Sequence, residues 1–369
     1  MKVKIQQFLF SQNHSWACVG KEIGRSLLKK GHDVHFLSMD KDMNVSVIDK
    51  YVPEDLRAHI KMIPDNNYDC QISYTAMKNF PRYLSNGNKN RFGIWNYEFN
   101  SFLASGFPKY HKFTDKFLPS SKFFYDICIE NGIPAEKMKV VPHGVNANLF
   151  LNAEPMVLKT NKKYKILLNI AQPHIRKNLA GTLEAFGKAF NKNDDVCFVI
   201  KVVDKKPESL FEVSFQDVFA KFKKKFPNHA ECLVLRDYIP NIESLYKACD
   251  IFFHLSHAEA YHLPAIESLI SGMVVFSSRY GGALDFLNDE NSFLIDGEIV
   301  RAPKEAQYWT PSVYSGYFQP NLNQAAEKLK YCIDNFDEVK KQKLSTVTSD
   351  FIKCHSWEAQ TQLIENMCV

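Results

Sequence analysis

Residues 257–272 read HAEAYHLPAIESLISG and set two carboxylates around one proline, Glu259 before Pro264 and Glu267 after it. Ionised carboxylates only accept hydrogen bonds, so the partners they seek are hydroxyls or amides. Pro264 suits a first helical position, where its missing N–H would have had no partner. The open N–H groups and the dipole at such a helix start attract phosphate. Glu267 would ride roughly 4.5 Å up the helix axis while Glu259 stays in the loop, so the pair flanks a phosphate rather than opposing it. A molecule with hydroxyls at both ends and phosphates between them meets these demands, and a sugar nucleotide is such a molecule. Without a ligand, Glu267 reads as a first-turn glutamate serving the dipole and Glu259 as an exposed loop residue.

A cation source lies upstream. The strand-like KILLNIA runs into QPHIRKN, which places Arg176 and Lys177 ahead of the next helix. Open parallel sheets bind ligands outside the carboxyl ends of their strands, and both this loop and the one holding Glu259 leave such an end. In the first half, WNYEF follows the strand RFGIW and groups Trp95, Tyr97 and Glu98. Aromatic faces beside a carboxylate suit a sugar acceptor, and the same residues also suit a strand end packed in its own domain. Asn13, His14, Ser15 and Trp16 would face the same site.

Three further groupings have plainer readings. His254, His257 and His262 with Glu259 offer metal-ligand types, but their spacing matches no standard zinc motif. DKD at 40–42 reads as a solvated turn. FAKFKKKF at 219–226 fits an amphipathic cover helix better than a membrane-surface helix. No metal and no cofactor is expected, the nucleotide sugar being a co-substrate.

These residues need a scaffold, and the chain supplies alternating strands and helices. KVKIQQFLF, a helix with Val19, Ile23, Leu27 and Leu28 on one face stopped at Gly31, and DVHFLS form a strand, helix, strand unit. Later come KFLPSS, a helix ending near Gly132, and a strand MKVVPHGV. The polar LNAEPMVLKTNKK reads as a linker. Beyond it KILLNIA, VCFVIKVV, CLVLRDY, DIFFHLS and VVFSSR alternate with helices from Asn178, near 208–225, from Asn241 and from Pro264. Strands this continuously apolar suit a parallel sheet covered on both faces, and Asn178 and Asn241 suit N-caps. APKEAQYWTPSVYSGYFQPN reads as an irregular connection before a last helix around SWEAQTQLIENM. The expected fold class is α/β, two Rossmann-like doubly wound parallel-sheet domains facing across a cleft. The expected domain boundary lies near residue 153.

With 45% hydrophobic and 24% charged residues in a 369-residue chain, the composition is that of a folded protein with two cores. The nine cysteines form no C-x-x-C pair, the pattern of reduced thiols in a cytoplasmic protein. The N-terminus lacks a signal-peptide core, and no uncharged apolar run approaches the roughly 20 residues of a membrane span. The net charge of +5 resides in the first half, where 20 basic residues face 14 acidic ones. That surplus suits an anionic acceptor, a weak membrane-surface association, or simply a solvated face. No nucleic-acid partner is expected.

RKN-x3-T-L-E-A-F, then HAEAYHLPAIESLISGMVVFSS, then RYGGALDFLNDENSFLI resemble, in order and spacing, the donor-binding half of retaining glycosyltransferases of family four, which have the GT-B fold. The family's Glu-x7-Glu motif falls on Glu259 and Glu267. VPHGVNANLF also resembles a family segment, and the SW near residue 357 resembles the start of the family's terminal helix. The resemblance thus implies an acceptor domain over 1–153, a donor domain over 154–335, and a helical segment over 336–369 that returns to the first domain. The resemblance implies that Glu267 holds the ribose hydroxyls, Glu259 the transferred sugar and Lys177 the diphosphate, with Tyr261, His262, Leu263 and Pro264 lining the phosphates. Tyr238 and Ile239 would neighbour the base. It further implies metal-independent transfer with retention of a hexose such as mannose or glucose, from a GDP- or UDP-linked donor to a saccharide. The leaving phosphate would itself take the acceptor proton. Ala171 stands where the family often has an arginine, so Arg176 would supply that charge. Ala260 and His262 replace the usual glycines, and SQNHSWACVG lacks the family's glycine pair. A nucleotide-sugar epimerase, a phosphorylase, or a non-catalytic binding protein are the alternatives on the same scaffold.

Overall fold

The computed structural model describes residues 1–9, 15–40, 48, 52–63, 65, 67–84, 90–100, 106–170, 173–202, 212–303, 305 and 315–368. Asn13, His14, Lys41, Asp42, Ala171 and the side chains of Ser15 and Trp16 lie outside the described residues. The chain divides into two compact units. One comprises Met1–Tyr97, Phe102–Val145 and Lys353–Val369; the other comprises Glu98–Ser101 and Asn146–Ile352.

The first unit is built on a parallel sheet of β1 (Lys2–Gln7), β2 (Asp33–Ser38), β3 (Cys70–Tyr74), β4 (Arg91–Ile94) and β5 (Lys116–Phe117), in the order β2-β1-β3-β4-β5. The helix Ser15–Lys29 crosses from β1 to β2, and Gly31, at φ +82°, turns the chain out of it. The strand expected over MKVVPHGV does not form. Met138 makes one isolated bridge to Phe117, and Lys139 and Val141 each donate a single backbone hydrogen bond. Pro142, with no N–H, cannot extend a ladder. The C-terminal helix Trp357–Glu365 lies on the Ser15–Lys29 helix, with the hydroxyls of Ser26 and Thr361 2.7 Å apart. Gly144 lets its own loop pass close to the start of that helix, since a Cβ there would stand 2.5 Å from the Trp357 backbone.

The second unit holds a six-stranded parallel sheet: β6 (Tyr164–Ile170), β7 (Val196–Val202), β8 (Glu231–Leu235), β9 (Ile251–His254), β10 (Val274–Ser278) and β11 (Ser292–Ile295). Their order is β11-β10-β9-β6-β7-β8. As the apolar runs require, strand residues Ile166, Phe198, Phe253 and Phe276 share one buried core with Phe186 and Leu329 from the covering helices. Both units are thus doubly wound, parallel-sheet and Rossmann-like.

Several elements differ from the sequence reading. The helix Phe215–Lys225 starts on a Ser214 cap, later than expected, and residues 203–211 lie outside the described set. Its Phe215 and Phe219 rings stack at 5.3 Å, with Phe215 and Phe222 buried in the sheet's core. Its phenylalanines are thereby spent on packing. Within the supposedly irregular connection, β13 (Gly316–Pro320) pairs antiparallel with β12 (Gly297–Arg301). The sequence places the domain division after 153, whereas the contacts place it after Val145, because the short helix Ala147–Asn152 packs on the second unit. The returning segment, expected from 336, joins the first unit from Lys353. Among the described residues, no helix is long and apolar enough to cross a membrane.

Candidate functional site

The second sheet grows outward from β6 in both directions, through β7 and β8 on one side and β9, β10 and β11 on the other. Connections leaving neighbouring strands toward opposite faces open a crevice at their carboxyl ends, and β6 and β9 are such neighbours. The loop after β6 carries Arg176 and Lys177 in a 3₁₀ turn; the loop after β9 carries Glu259 and His262.

Hydrogen bonds tie the two loops together. His257 N donates to Arg176 O at 2.8 Å, Asn178 Nδ2 to Leu255 O at 2.7 Å, and His254 Nε2 meets Lys177 O at 2.9 Å. Asn178 also caps the helix Leu179–Ala189, its Oδ1 accepting from Gly181 N, from a left-handed conformation that asparagine tolerates better than most residues. The expected N-cap is therefore present, and it doubles as a cross-tie.

Held this way, two cations meet two carboxylates. Lys177 Nζ lies 2.5 Å from Glu259 Oε1 and Arg176 Nη1 lies 3.0 Å from Glu259 Oε2, while Arg176 Nη2 lies 3.0 Å from Glu98 Oε1. Arg176 Nη1 also donates to Ala258 O at 3.2 Å. All four groups are largely buried. Burial pushes the Glu259 carboxyl up, but the charges of Lys177 and Arg176 outweigh it and hold the group well below the usual carboxylate range. Burial lowers the Lys177 ammonium, and Glu259 opposes that shift.

His254 and His262 form a relay beneath this cluster. A carbonyl only accepts, so the proton on His254 sits on Nε2, facing Lys177 O, and its Nδ1 is an acceptor. The Nε2 of His262, 2.9 Å from that Nδ1, must then donate. Nδ1 of His262 is left as a lone pair, buried with no hydrogen-bond partner. Burial keeps both rings neutral, lowering His262 to about 4 and His254 well below its ordinary value. His254, Glu259 and His262 bring ligand-type atoms within 4.8 Å of one another. Both nitrogens of His254 are already engaged, however, and a cation there would stand beside Arg176 and Lys177.

The helix Leu263–Ile270 begins at Leu263, one residue earlier than expected, with Pro264 next and His262 as a left-handed N-cap. Glu267 accepts from Tyr246 Oη at 2.9 Å, and Asn169 Nδ2 donates to that hydroxyl at 2.8 Å. Glu267 keeps some solvent exposure, yet its enclosure pushes the carboxyl up to about 7, against the Tyr246 hydrogen bond. Tyr261 is buried with its ring 5.2 Å from Phe286. Leu263 and Pro264 are half-buried.

Tyr238 and Ile239 follow β8, the edge strand, and Tyr238 is exposed. Trp95 and Tyr97 are buried in the first unit with stacked rings 5.5 Å apart, Trp95 also meeting Phe107 and Phe124. Glu98, from the same WNYEF segment, belongs to the second unit's contacts. Ser15 and Trp16 open the Ser15–Lys29 helix.

Sequence reasoning passed over Tyr246, Asn169 and Gly281. Gly281, at φ +89°, brings a turn against the Glu259 loop. A Cβ there would stand 2.6 Å from Glu259 O, which accepts from Gly282 N at 2.9 Å. The paired glycines in RYGGALD were the available signal; Tyr246 and Asn169 gave none.

Residues 152–308 match the family model described as glycosyl transferases group 1. A curated relative, a probable sucrose-phosphate synthase of Thermosipho melanesiensis, is 28% identical over 159 residues, covering 42% of this chain. The match spans 35% of that relative's length. Among solved structures, a glycosyltransferase from Rickettsia africae is similar with a TM-score of 0.72 at 16% identity, covering 100% of this chain and 97% of that one. Anabaena HepE, solved with UDP and glucose, is similar with a TM-score of 0.70 at 13% identity, covering 99% and 98%. At such identities the likeness establishes the fold, which is that of GT-B glycosyltransferases.

Proposed function

We propose that this chain is a glycosyltransferase that moves a hexose, with retention and without a metal, from a nucleoside diphosphate sugar to a saccharide hydroxyl. The observation that carries the reading is the convergence of Arg176, Lys177 and the start of the Leu263 helix at the β6/β9 switch point, with Glu259 and Glu267 on the loop and helix around them. The family match over residues 152–308 supports the same class. That HepE was solved with UDP and glucose favours trying a uridine donor first.

In this reading the diphosphate lies on the Leu263 helix start against Lys177 and Arg176. The sugar faces Glu259 and the neutral His262, whose Nδ1 accepts from a hydroxyl. Glu267, steadied by Tyr246, accepts from the ribose diol. As the bond from the anomeric carbon to the diphosphate oxygen breaks, its electron pair stays on that oxygen. Fixed cations stabilise the charge where it develops. The acceptor oxygen bonds to the anomeric carbon on the same face, and its proton passes to the departing phosphate oxygen.

The test is a thermal-shift screen of UDP- and GDP-sugars, followed by product analysis with and without saccharide acceptors and assignment of the anomeric configuration. An acceptor-dependent product of unchanged configuration supports the proposal. Conversion without acceptor points to an epimerase, a requirement for free phosphate to a phosphorylase, and binding with no turnover to a non-catalytic protein.

A further inference from the structure

The Arg176 guanidinium has its edges divided between two carboxylates from distant parts of the chain. Nη1 is held inside the Glu259 loop by Glu259 Oε2 and Ala258 O, while Nη2 is taken by Glu98. Glu98 comes from a short tab, Glu98–Ser101, which lies in the first half of the sequence but contacts the second unit. A second bond, from Gly316 N to Asn100 Oδ1 at 2.8 Å, anchors the tab independently.

Charge decides what this arrangement means for an incoming anion. Arg176 and Lys177 supply two positive charges, and Glu98 and Glu259 already cancel them. A diphosphate brought to this cluster would add buried negative charge with nothing to balance it, a costly arrangement. Glu259 is held on both of its oxygens and by the backbone contact of its own loop with Gly282. Glu98 meets this cluster at the Nη2 edge of Arg176, and the Asn100 bond holds the tab through a separate residue. Phosphate offers a guanidinium more acceptor oxygens and more charge than one carboxylate does.

We propose that Glu98 is a placeholder for the donor's diphosphate: it occupies the Nη2 edge of Arg176 in the free protein and yields that edge when the donor enters. Donor binding is then an exchange of carboxylate for phosphate, and Glu98 acts as a positioning residue that keeps Arg176 extended and neutralised until then. The inference rests on the donor site proposed above.

Calorimetry with UDP, GDP and inorganic pyrophosphate on the full chain and on Glu98→Gln tests it. Removing one competing carboxylate from one cation should tighten UDP or GDP, and pyrophosphate, by about threefold to tenfold, and leave uridine unchanged. The free variant should melt lower than wild type, because Arg176 loses one of its two carboxylate partners, yet gain more on adding UDP or GDP, which a merely structural role would not produce. Glu98→Asp, one methylene shorter, should fall between the two, and carries the test if Glu98→Gln does not fold. Unchanged or weaker diphosphate affinity in these variants, with wild type binding normally, overturns the placeholder alone. A rise confined to the acceptor KM would instead make Glu98 an acceptor contact and overturn it too. If wild type binds none of the three probes, the donor site itself fails and the placeholder falls with it.

Discussion

Each candidate residue in the second unit's cleft has a distinct electrical state, and those states give separable tests. Lys177 has its charge matched to Glu259 at 2.5 Å and lies where a leaving diphosphate would gather charge. Lys177→Ala should lower kcat by on the order of a hundredfold or more, the usual cost of removing one preorganised contact to a developing anion, with a smaller change in donor KM. Steady-state kinetics with the donor chosen by the screen checks this, and an unchanged kcat removes Lys177 from the chemistry. Glu267 behaves oppositely to Glu259: burial, with the like charge of Glu243 adding to it, pushes the group up to about 7 against the Tyr246 hydrogen bond. The sign follows. The folded protein holds this proton more tightly than the unfolded chain, so the associated stability is full below the ordinary value of 4.5 and is lost as pH rises through about 7. The loss amounts to about 3 kcal/mol at most. Glu267→Gln, which mimics the protonated group, should therefore melt above wild type at pH 8.5 and near it at pH 5. An equal offset at both values would show that Glu267 carries no such strain.

Elements decide which of these states was legible in the sequence. The helix stop at Gly31, the Asn178 cap, the parallel core strands and the loop-then-helix placing of Glu259 and Glu267 are local, set by φ, by capping and by periodicity. Contacts between loops are not local. Glu98 and Arg176 are brought together by tertiary packing across 78 positions, and the Tyr246–Glu267 bond spans 21. No spacing rule reaches that far. The pairing of β12 with β13 was hidden for a related reason: Gly316–Pro320 is a strand only because Gly297–Arg301 pairs with it. Asn178 joins both kinds of information, a local cap that also bridges β6 and β9. Asn178→Ala should lose the cap at about 1 kcal/mol and leave Leu255 O without its donor at about 1–3 kcal/mol. It would also put an alanine at a φ of 48°. Asn178→Gly loses the same two bonds but not the backbone freedom, so it should be the more stable of the pair by about 1 kcal/mol. Denaturant titration of both variants checks the ordering. Equal stabilities would mean that the loop relaxes out of the left-handed conformation, and the cross-tie with it.

Across the whole molecule, buried histidines set how the two units respond to acid. His174, His254, His257 and His262 belong to the second unit and His143 to the first. Burial holds all of them neutral, His174 at about 2, His143 at about 3, His257 and His262 at about 4, and His254 well below its ordinary 6.5. A histidine lowered on folding leaves the unfolded chain as the better proton binder. Its share of stability is complete above 6.5 and drains away as pH falls toward the folded value, at about 1.4 kcal/mol per pH unit for each ring. Glu267 works the other way between 4.5 and 7, so four histidines against one glutamate leave the second unit a net uptake of about three protons on unfolding, and the first unit about one. Stability should thus fall roughly three times as steeply with acid in the second unit. Hydrogen exchange at pH 7 and pH 5, corrected for intrinsic rates, resolves the units: amides of β6, β9 and β10 should lose far more protection than those of β1 and β3. Equal losses in the two sheets would mean that the histidine relay beside Glu259 is not held neutral. The lone pair on His262, which the proposed sugar contact requires, would then be occupied by a proton.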